Sequence, residues 1–317
     1  MSTRIVKGLA FALILYVGLT SIIGFREFGE SLGQISLGIW LLGPSICLFS
    51  HIVLEGRWQF YLKRLGFPLP FKPAAKIYAA GLALMAAPGR SGEAIRGLWL
   101  KRRHGFPLTV GVGITLAERL ADLASALLVM SWGLGETTWA AMLIGLAVLG
   151  TGGWLFTHPR VLHRLEHWLE TLPLHERWNG LLRLLREALL AMGRMRELMK
   201  PWPLIVGTLM ACLCWMSEAW LLMIIYGALG VEMDIHHTAV VRTATGLGGV
   251  ISFLPAGLGT SEITSIGLAM LYGAERSQAL AGTLVLRICT LAIPCMIGLF
   301  ALLRQPDLGK SSKVGSS

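Results

Sequence analysis

Apolar residues in this chain come in long blocks, not in the short stripes of a water-soluble protein. Six blocks reach the roughly 20 residues that a helix needs to cross a hydrocarbon core: about 6–25, 36–54, 107–134, 138–157, 202–229 and 279–303. Two further apolar stretches, 74–87 and 238–254, are too short. Each runs into a Pro and Gly cluster and is followed by a second short helical piece. They read as re-entrant hairpins, a form tolerated at depth only where protein or a water-filled cavity satisfies the backbone. The expected fold is an all-α polytopic membrane protein with six spanning helices and two broken ones. Residues 1–303 are expected to form one transmembrane domain, and 304–317 a polar cytoplasmic tail.

Between 158 and 200 the pattern changes. Leu162, Leu165, Trp168, Leu169 and Leu172, then Leu181, Leu185, Ala188, Met192 and Met195, recur at helical spacing opposite Arg and Glu. This predicts either two amphipathic helices on the inner leaflet, broken at Pro173, or a small cytoplasmic helical hairpin. His163 and His167 stand at i, i+4, as metal ligands can, but no third ligand lies near them. No metal or other cofactor is expected.

Composition strengthens the membrane reading. The chain is 54% hydrophobic and 15% charged, against about 25% charged for an ordinary soluble protein. Disorder and soluble nucleic-acid binding are excluded as main readings. Cys47, Cys212, Cys214, Cys289 and Cys295 lie within apolar stretches and read as reduced packing residues.

The net charge of +10 is distributed as a bilayer demands. With the N-terminus inside, 21 of the 28 Lys and Arg fall on inside segments, Arg26 and Arg276 fall outside, and Arg90, Arg96, Arg119, Arg242 and Arg287 lie within the membrane. Both termini are therefore expected in the cytoplasm. The hairpin over 74–104 is flanked by basic loops and enters from the cytoplasm; that over 238–273, flanked by Glu232, Asp234 and Glu275, dips in from outside. The run after Arg4 and Lys7 is long and lacks a nearby small-residue cleavage pattern, so it reads as a retained first span. ATP-driven transport is not expected, because no Walker A sequence occurs.

The two hairpins share a motif. The first turns at Pro88-Gly89-Arg90-Ser91-Gly92-Glu93 and the second at Pro255-Ala256-Gly257-Leu258-Gly259-Thr260-Ser261-Glu262. Each has a Pro, two Gly that permit a tight turn (Gly89 and Gly92; Gly257 and Gly259), and a hydroxyl residue two positions before a Glu. Arg119 follows Glu93 by 26 residues and Arg287 follows Glu262 by 25. The pattern predicts inverted repeats centred on 74–134 and 238–303, with anion-attracting half-helix N-termini near Ser91 and Thr260.

Ionisable groups in hydrocarbon are costly and normally pair within the bundle. Glu93, Glu118, Asp122, Glu218 and Glu262 match the five membrane arginines in number. They form either an ion-pair network that fixes packing, with Glu93 and Glu262 capping helices, or the wall of a polar-ligand site. Arg119 is spaced to pair with Asp122, Arg287 has Glu262 as its expected partner, and Glu218 is either a partner for Arg242 or a proton-coupling carboxylate. Arg90, Arg96, Arg119, Arg242 and Arg287 are candidate phosphate donors. Glu93, Glu118, Asp122 and Glu262 would hold these arginines or bind a positive head group. Ser91, Thr260 and Ser261 complete the candidate binding set.

Ala87-Pro88-Gly89-Arg90-Ser91-Gly92-Glu93 with Arg96, Glu118-Arg119-Leu120-Ala121-Asp122, Leu254-Pro255-Ala256-Gly257-Leu258-Gly259-Thr260-Ser261-Glu262 and Arg287 together resemble a flippase-like family. It is typified by the membrane region of bacterial lysylphosphatidylglycerol synthases, and the resemblance spans roughly residues 5–303. It implies a multi-pass protein of the bacterial cytoplasmic (inner) membrane that moves phospholipids, aminoacyl lipids or polyprenyl-phosphate glycolipids between leaflets. After residue 303 only a short polar tail follows, so an aminoacyltransferase domain is not expected. The resemblance implies an anionic or phosphate-bearing lipid as the main partner, with a soluble lipid-modifying enzyme or glycosyltransferase as a second. Three alternatives stand beside the flippase or scramblase reading. One is a transferase acting on a polyprenyl-phosphate lipid through Glu118 and Asp122. Another is a non-catalytic membrane subunit that recruits an enzyme through 158–200. The third is a small-solute or ion carrier. The oligomeric state has no signature.

Overall fold

A computed structural model describes residues 25–85, 95–171, 179–252 and 254–305. The expected first span over 6–25 therefore lies almost wholly outside the described residues, as do the 304–317 tail beyond 305 and the first hairpin tip with Pro88, Gly89, Arg90, Ser91, Gly92 and Glu93. Every regular element among the described residues is helical. In chain order these are α1 (Phe25–Gly33), α2 (Leu37–Arg64), α3 (Phe71–Leu82), α4 (Ile95–His104), α5 (Leu108–Leu134), α6 (Trp139–Phe156) and α7 (Pro159–Thr171). Then come α8 (Asn179–Leu198), α9 (Pro201–Ala228), α10 (Ile235–Ile251), α11 (Thr260–Leu271), α12 (Arg276–Arg287) and α13 (Ile293–Leu303). The last two are parts of one rod, joined by a π-helical segment over Ile288–Ala292.

Among the described residues, four helical stretches are long and apolar enough to cross a membrane: Leu37–Arg64, Glu136–Phe156, Pro201–Ala228 and Arg276–Leu303. Helix α5 is as long, at 27 residues, but carries Glu118, Arg119 and Asp122. Helix α6 has no buried residue, and its exposed Trp139, Leu143, Ile144, Val148, Trp154 and Phe156 form an apolar outer surface. The largest departure from the sequence expectation is in α2. Instead of ending near residue 54 it continues to Arg64, with Glu55 and Arg57 buried inside the helix. The polar residues continue the helix because they face protein: Gln59 hydrogen-bonds Glu55, and Arg57 pairs with Asp122 of α5.

The expected broken elements fall on α3 with α4, whose connection lies outside the described residues, and on α10 with α11, and these pairs are strapped together reciprocally. The first half of α5 packs on α4, where Gly97 and Gly111 bring the two backbones into direct contact. Its far end packs on α10, with Gly133 against the His236 carbonyl and Val240. Helix α12 in turn packs on α11, through a 2.9 Å hydrogen bond between Thr283 and Ser265, and α13 crosses α3 with Gly298 on the Leu82–Ala83 backbone. So α5 holds α4 and α10, and the α12–α13 rod holds α11 and α3.

The two ends of the bundle differ in charge. At one end Arg103 donates to Gln305 (2.8 Å), which donates to the Lys76 carbonyl (3.1 Å), and Phe67 meets Phe106 at 5.1 Å. Lys101, Arg102 and Arg103 lie here. Burial, and secondarily the Arg103 charge, push His104 below the usual histidine range. At the other end Gln278 donates to the Leu229 carbonyl (2.8 Å) and His237 meets Tyr272 at 4.3 Å, beside Glu232, Asp234 and Glu275. Asp234 caps α10 by accepting from the His237 amide (2.8 Å), and that bond holds its carboxyl below the usual range.

The 158–200 stretch forms α7 and α8, packed against each other; Pro173 lies outside the described residues. Helix α8 also docks on α5: Ala191 and Leu198 are buried, and Gly113 leaves room for the Ala191 carbonyl and Arg194.

Candidate functional site

Two cavities lie between the hairpins, bordered by both major apolar clusters of the core. The narrower, about 70 Å³, is lined by His51, Arg57, Tyr78, Arg96, Glu118 and Glu218 among others. The wider, about 260 Å³, is lined by Thr245, Gly249, Ala256, Gly257, Ser261 and Arg287. Arg119, Asp122, Trp215, Arg242, Met85 and Thr290 line both, and so form the partition between them.

The helix register of α5 brings the first group together. Glu118 and Asp122 share a face at i, i+4. Arg96 of α4 reaches Glu118 at 2.8 Å and lies over the rings of Tyr78 (5.0 Å) and Trp58 (5.6 Å). Arg119 pairs with Asp122 at 3.0 Å within α5, and Asp122 also accepts from Arg57 Nη1 at 2.7 Å. From the other side, Arg242 of α10 pairs with Glu218 of α9 and lies 4.6 Å from the Trp215 ring.

The second hairpin tip has the tight turn that its Gly residues predicted. Gly257 (φ 64°) and Gly259 (φ 89°) are in the left-handed region, and so is Ala256 (φ 56°). That conformation is costly for a residue with a Cβ. Arg287 holds it by donating to the Ala256 carbonyl at 2.7 Å, while its Nε donates to Glu262 at 2.8 Å. Glu262 Oε2 accepts from the Gly259 amide at 2.7 Å.

Of the expected site residues, Arg96, Glu118, Arg119, Asp122, Arg242, Ser261 and Arg287 line the cavities, with Glu262 directly behind Arg287. The pairings Arg119–Asp122, Arg287–Glu262 and Arg242–Glu218 occur. Two features differ. Thr260 lines neither cavity and donates to the Gly257 carbonyl at 3.2 Å. The Gly259 amide at the start of α11, expected to face an anion, is instead filled by Glu262, because a side chain three residues on reaches back to the cap. The sequence reading missed Arg57, His51, Tyr78, Trp215, Thr245 and Thr290. Arg57 was countable: Gly43, Ile46, Ser50, Arg57 and Tyr61 continue one buried face of α2.

Pairing does not seal the wide cavity. The side chains of Arg119, Arg242 and Arg287 keep 27%, 11% and 15% exposure, whereas Arg57 and Arg96 keep 2% and 5%. Such a set can offer guanidinium N–H groups to phosphate oxygens in a water-poor site.

The profile of the family described as "Lysylphosphatidylglycerol synthase TM region" matches residues 5–298. A "UPF0104 membrane protein" of Methanothermobacter thermautotrophicus is 26% identical over 290 residues, covering 88% of this chain and 77% of the relative. The "UPF0104 membrane protein MJ1595" of Methanocaldococcus jannaschii is 20% identical over 330 residues, covering 92% and 90%. Both relatives are archaeal, so the similarity does not single out a bacterial inner membrane.

Proposed function

The chain belongs to the lysylphosphatidylglycerol synthase transmembrane-region family of multi-pass membrane proteins, and from that premise we propose that it moves a lipid with an anionic or phosphate-linked head group between leaflets. The observation that carries this is the partly open, arginine-rich cavity pair between two broken helices. Among the described residues, nine paired ionisable groups at the cavities are an expensive means of holding helices together, since small residues do so with less desolvation. A site for a polar head group gives them a use.

The reciprocal strapping supports an inverted repeat, with the cytoplasm at the basic end and the two hairpins entering from opposite faces. Helix α12 travels with the second hairpin through Arg287–Glu262 and Thr283–Ser265, and α13 with the first through Gly298. The π-helical segment between them interrupts the rod beside the partition, where Thr290 faces both cavities. Short π segments within helices are frequent at functional sites. In this reading it is the hinge about which one hairpin rocks against the other.

The test is transport of a labelled anionic lipid in proteoliposomes. Arg119→Ala and Arg287→Ala are each expected to lower the rate severely, and unchanged rates in both folded variants refute the proposal.

A further inference from the structure

Four of the five described arginines at the cavities have a carboxylate each: Arg96 with Glu118, Arg119 with Asp122, Arg242 with Glu218 and Arg287 with Glu262. Arg57 is the fifth, and it shares Asp122 with Arg119. Asp122 is thus the one described carboxylate of the set that serves two guanidinium groups. Glu55, two residues earlier, is bonded to Gln59 and lines neither cavity.

Arg57 sits on the narrow cavity. The Arg57 side chain is 2% exposed. Its Nη1 serves Asp122 and, at 3.4 Å, the Gly207 carbonyl, while its buried Nε has no hydrogen-bond partner. A buried guanidinium that shares its carboxylate and leaves one N–H unpaired is costly, because that donor has lost water without gaining a partner. A guanidinium retains its charge in such a place, and its unpaired Nε–H can be satisfied by an oxygen of an anion.

We propose that the narrow cavity beside Arg57 binds one singly charged phosphate group, from a lipid phosphodiester or from free phosphate. This rests on the head-group reading and adds an inner station to it. The cavity's volume of about 70 Å³ matches roughly five waters at 10–15 Å³ each, space for a phosphate group and not for a sugar or glycerol attached to it. The wider, about 260 Å³ space holds the remainder of the head group and the start of the chain. Arg119 and Arg242 line both spaces and pass the phosphate between them.

The experiment uses the full chain in zwitterionic nanodiscs, titrated calorimetrically with dihexanoylphosphatidylglycerol and separately with inorganic phosphate. The wild type is expected to bind saturably. Arg57→Gln is expected to lose about tenfold or more in affinity, the scale of one charge-assisted contact, and Arg57→Lys to recover most of it by restoring charge. Ala211→Val, which narrows the cavity without touching a charge, is expected to weaken binding as well and stands as an independent arm if Arg57→Gln fails to fold. Binding of both ligands assigns a general phosphate site; binding of the short lipid alone assigns the head group as the source. Wild-type affinity in both Arg57→Gln and Ala211→Val overturns the inner station. If Arg287→Ala still stops transport in that case, the head-group reading survives without it. If transport ignores Arg119 and Arg287 while Arg57→Gln loses binding, the station stands and the transport reading falls.

Discussion

The Arg287–Glu262 pair gives the sharpest energetic test, because its two halves have different access to water. Glu262 is fully buried, whereas the Arg287 side chain keeps 15% exposure to the wide cavity. Arg287→Met therefore strands a carboxylate that cannot rehydrate and also releases the Ala256 carbonyl from the strained tip. Breaking a buried pair in this direction costs about 3–5 kcal/mol. Glu262→Gln is milder: the amide oxygen can still accept from the Gly259 amide, and Arg287 keeps the Ala256 carbonyl and the cavity. The loss there is about 1–2 kcal/mol, close to one charge-assisted bond. The double variant removes both charges and should cost less than Arg287→Met alone. Unfolding in mixed micelles, read by circular dichroism, measures all three. Equal losses in the single variants, or a double variant that is simply additive, would refute the assignment of the pair as buried and coupled.

Further outcomes follow from the packing and the cap. Gly113→Leu, placed where the Ala191 carbonyl and Arg194 Cβ lie 2.8 and 2.9 Å from an added Cβ, should push α8 off α5; the cost is about 1–3 kcal/mol or more, read by melting temperature and by protease cleavage within 179–198. Asp234→Ala should cost about 1 kcal/mol and speed amide exchange at 235–238. Since the Asp234 pKa is held below its unfolded value, its stabilisation is present above about pH 4 and is lost as pH falls through the folded pKa. In the Asp234→Ala variant that part of the acid sensitivity should vanish. If the π segment is a hinge, spin labels at the exposed positions Ile263 and Phe71 should give a distance distribution that shifts on adding the lipid substrate; a single unshifted distance refutes rocking.

Much of the fold was legible because lipid leaves few options: length and apolarity place helices almost without reference to packing. Five expected blocks appear as α2, α5, α6, α9 and the α12–α13 rod, and the Gly257–Gly259 turn appears where Pro and Gly signalled it. The same logic explains the misplacement of Arg57. A window that scores apolarity ends a helix at its first charges, so Glu55 and Arg57 fall just beyond the 36–54 block. In the folded chain those charges face Gln59 and Asp122, and the hydrophobic window says nothing about a helix face turned toward protein.

That single reassignment alters the chemistry of the site. Counted from sequence, the membrane arginines and acids balance, and a neutral network needs no ligand. Arg57 adds a fifth described guanidinium to the four already paired, and its nearest carboxylate, Asp122, is already shared. Charge balance inside a bilayer is therefore decided by which helix faces meet, a tertiary property that spacing within one segment cannot supply. An arginine at the margin of an apolar block, one or two turns beyond a face of Gly, Ile and Ser, is where a further buried membrane guanidinium is to be sought. Here it adjoins the one wall that both cavities share.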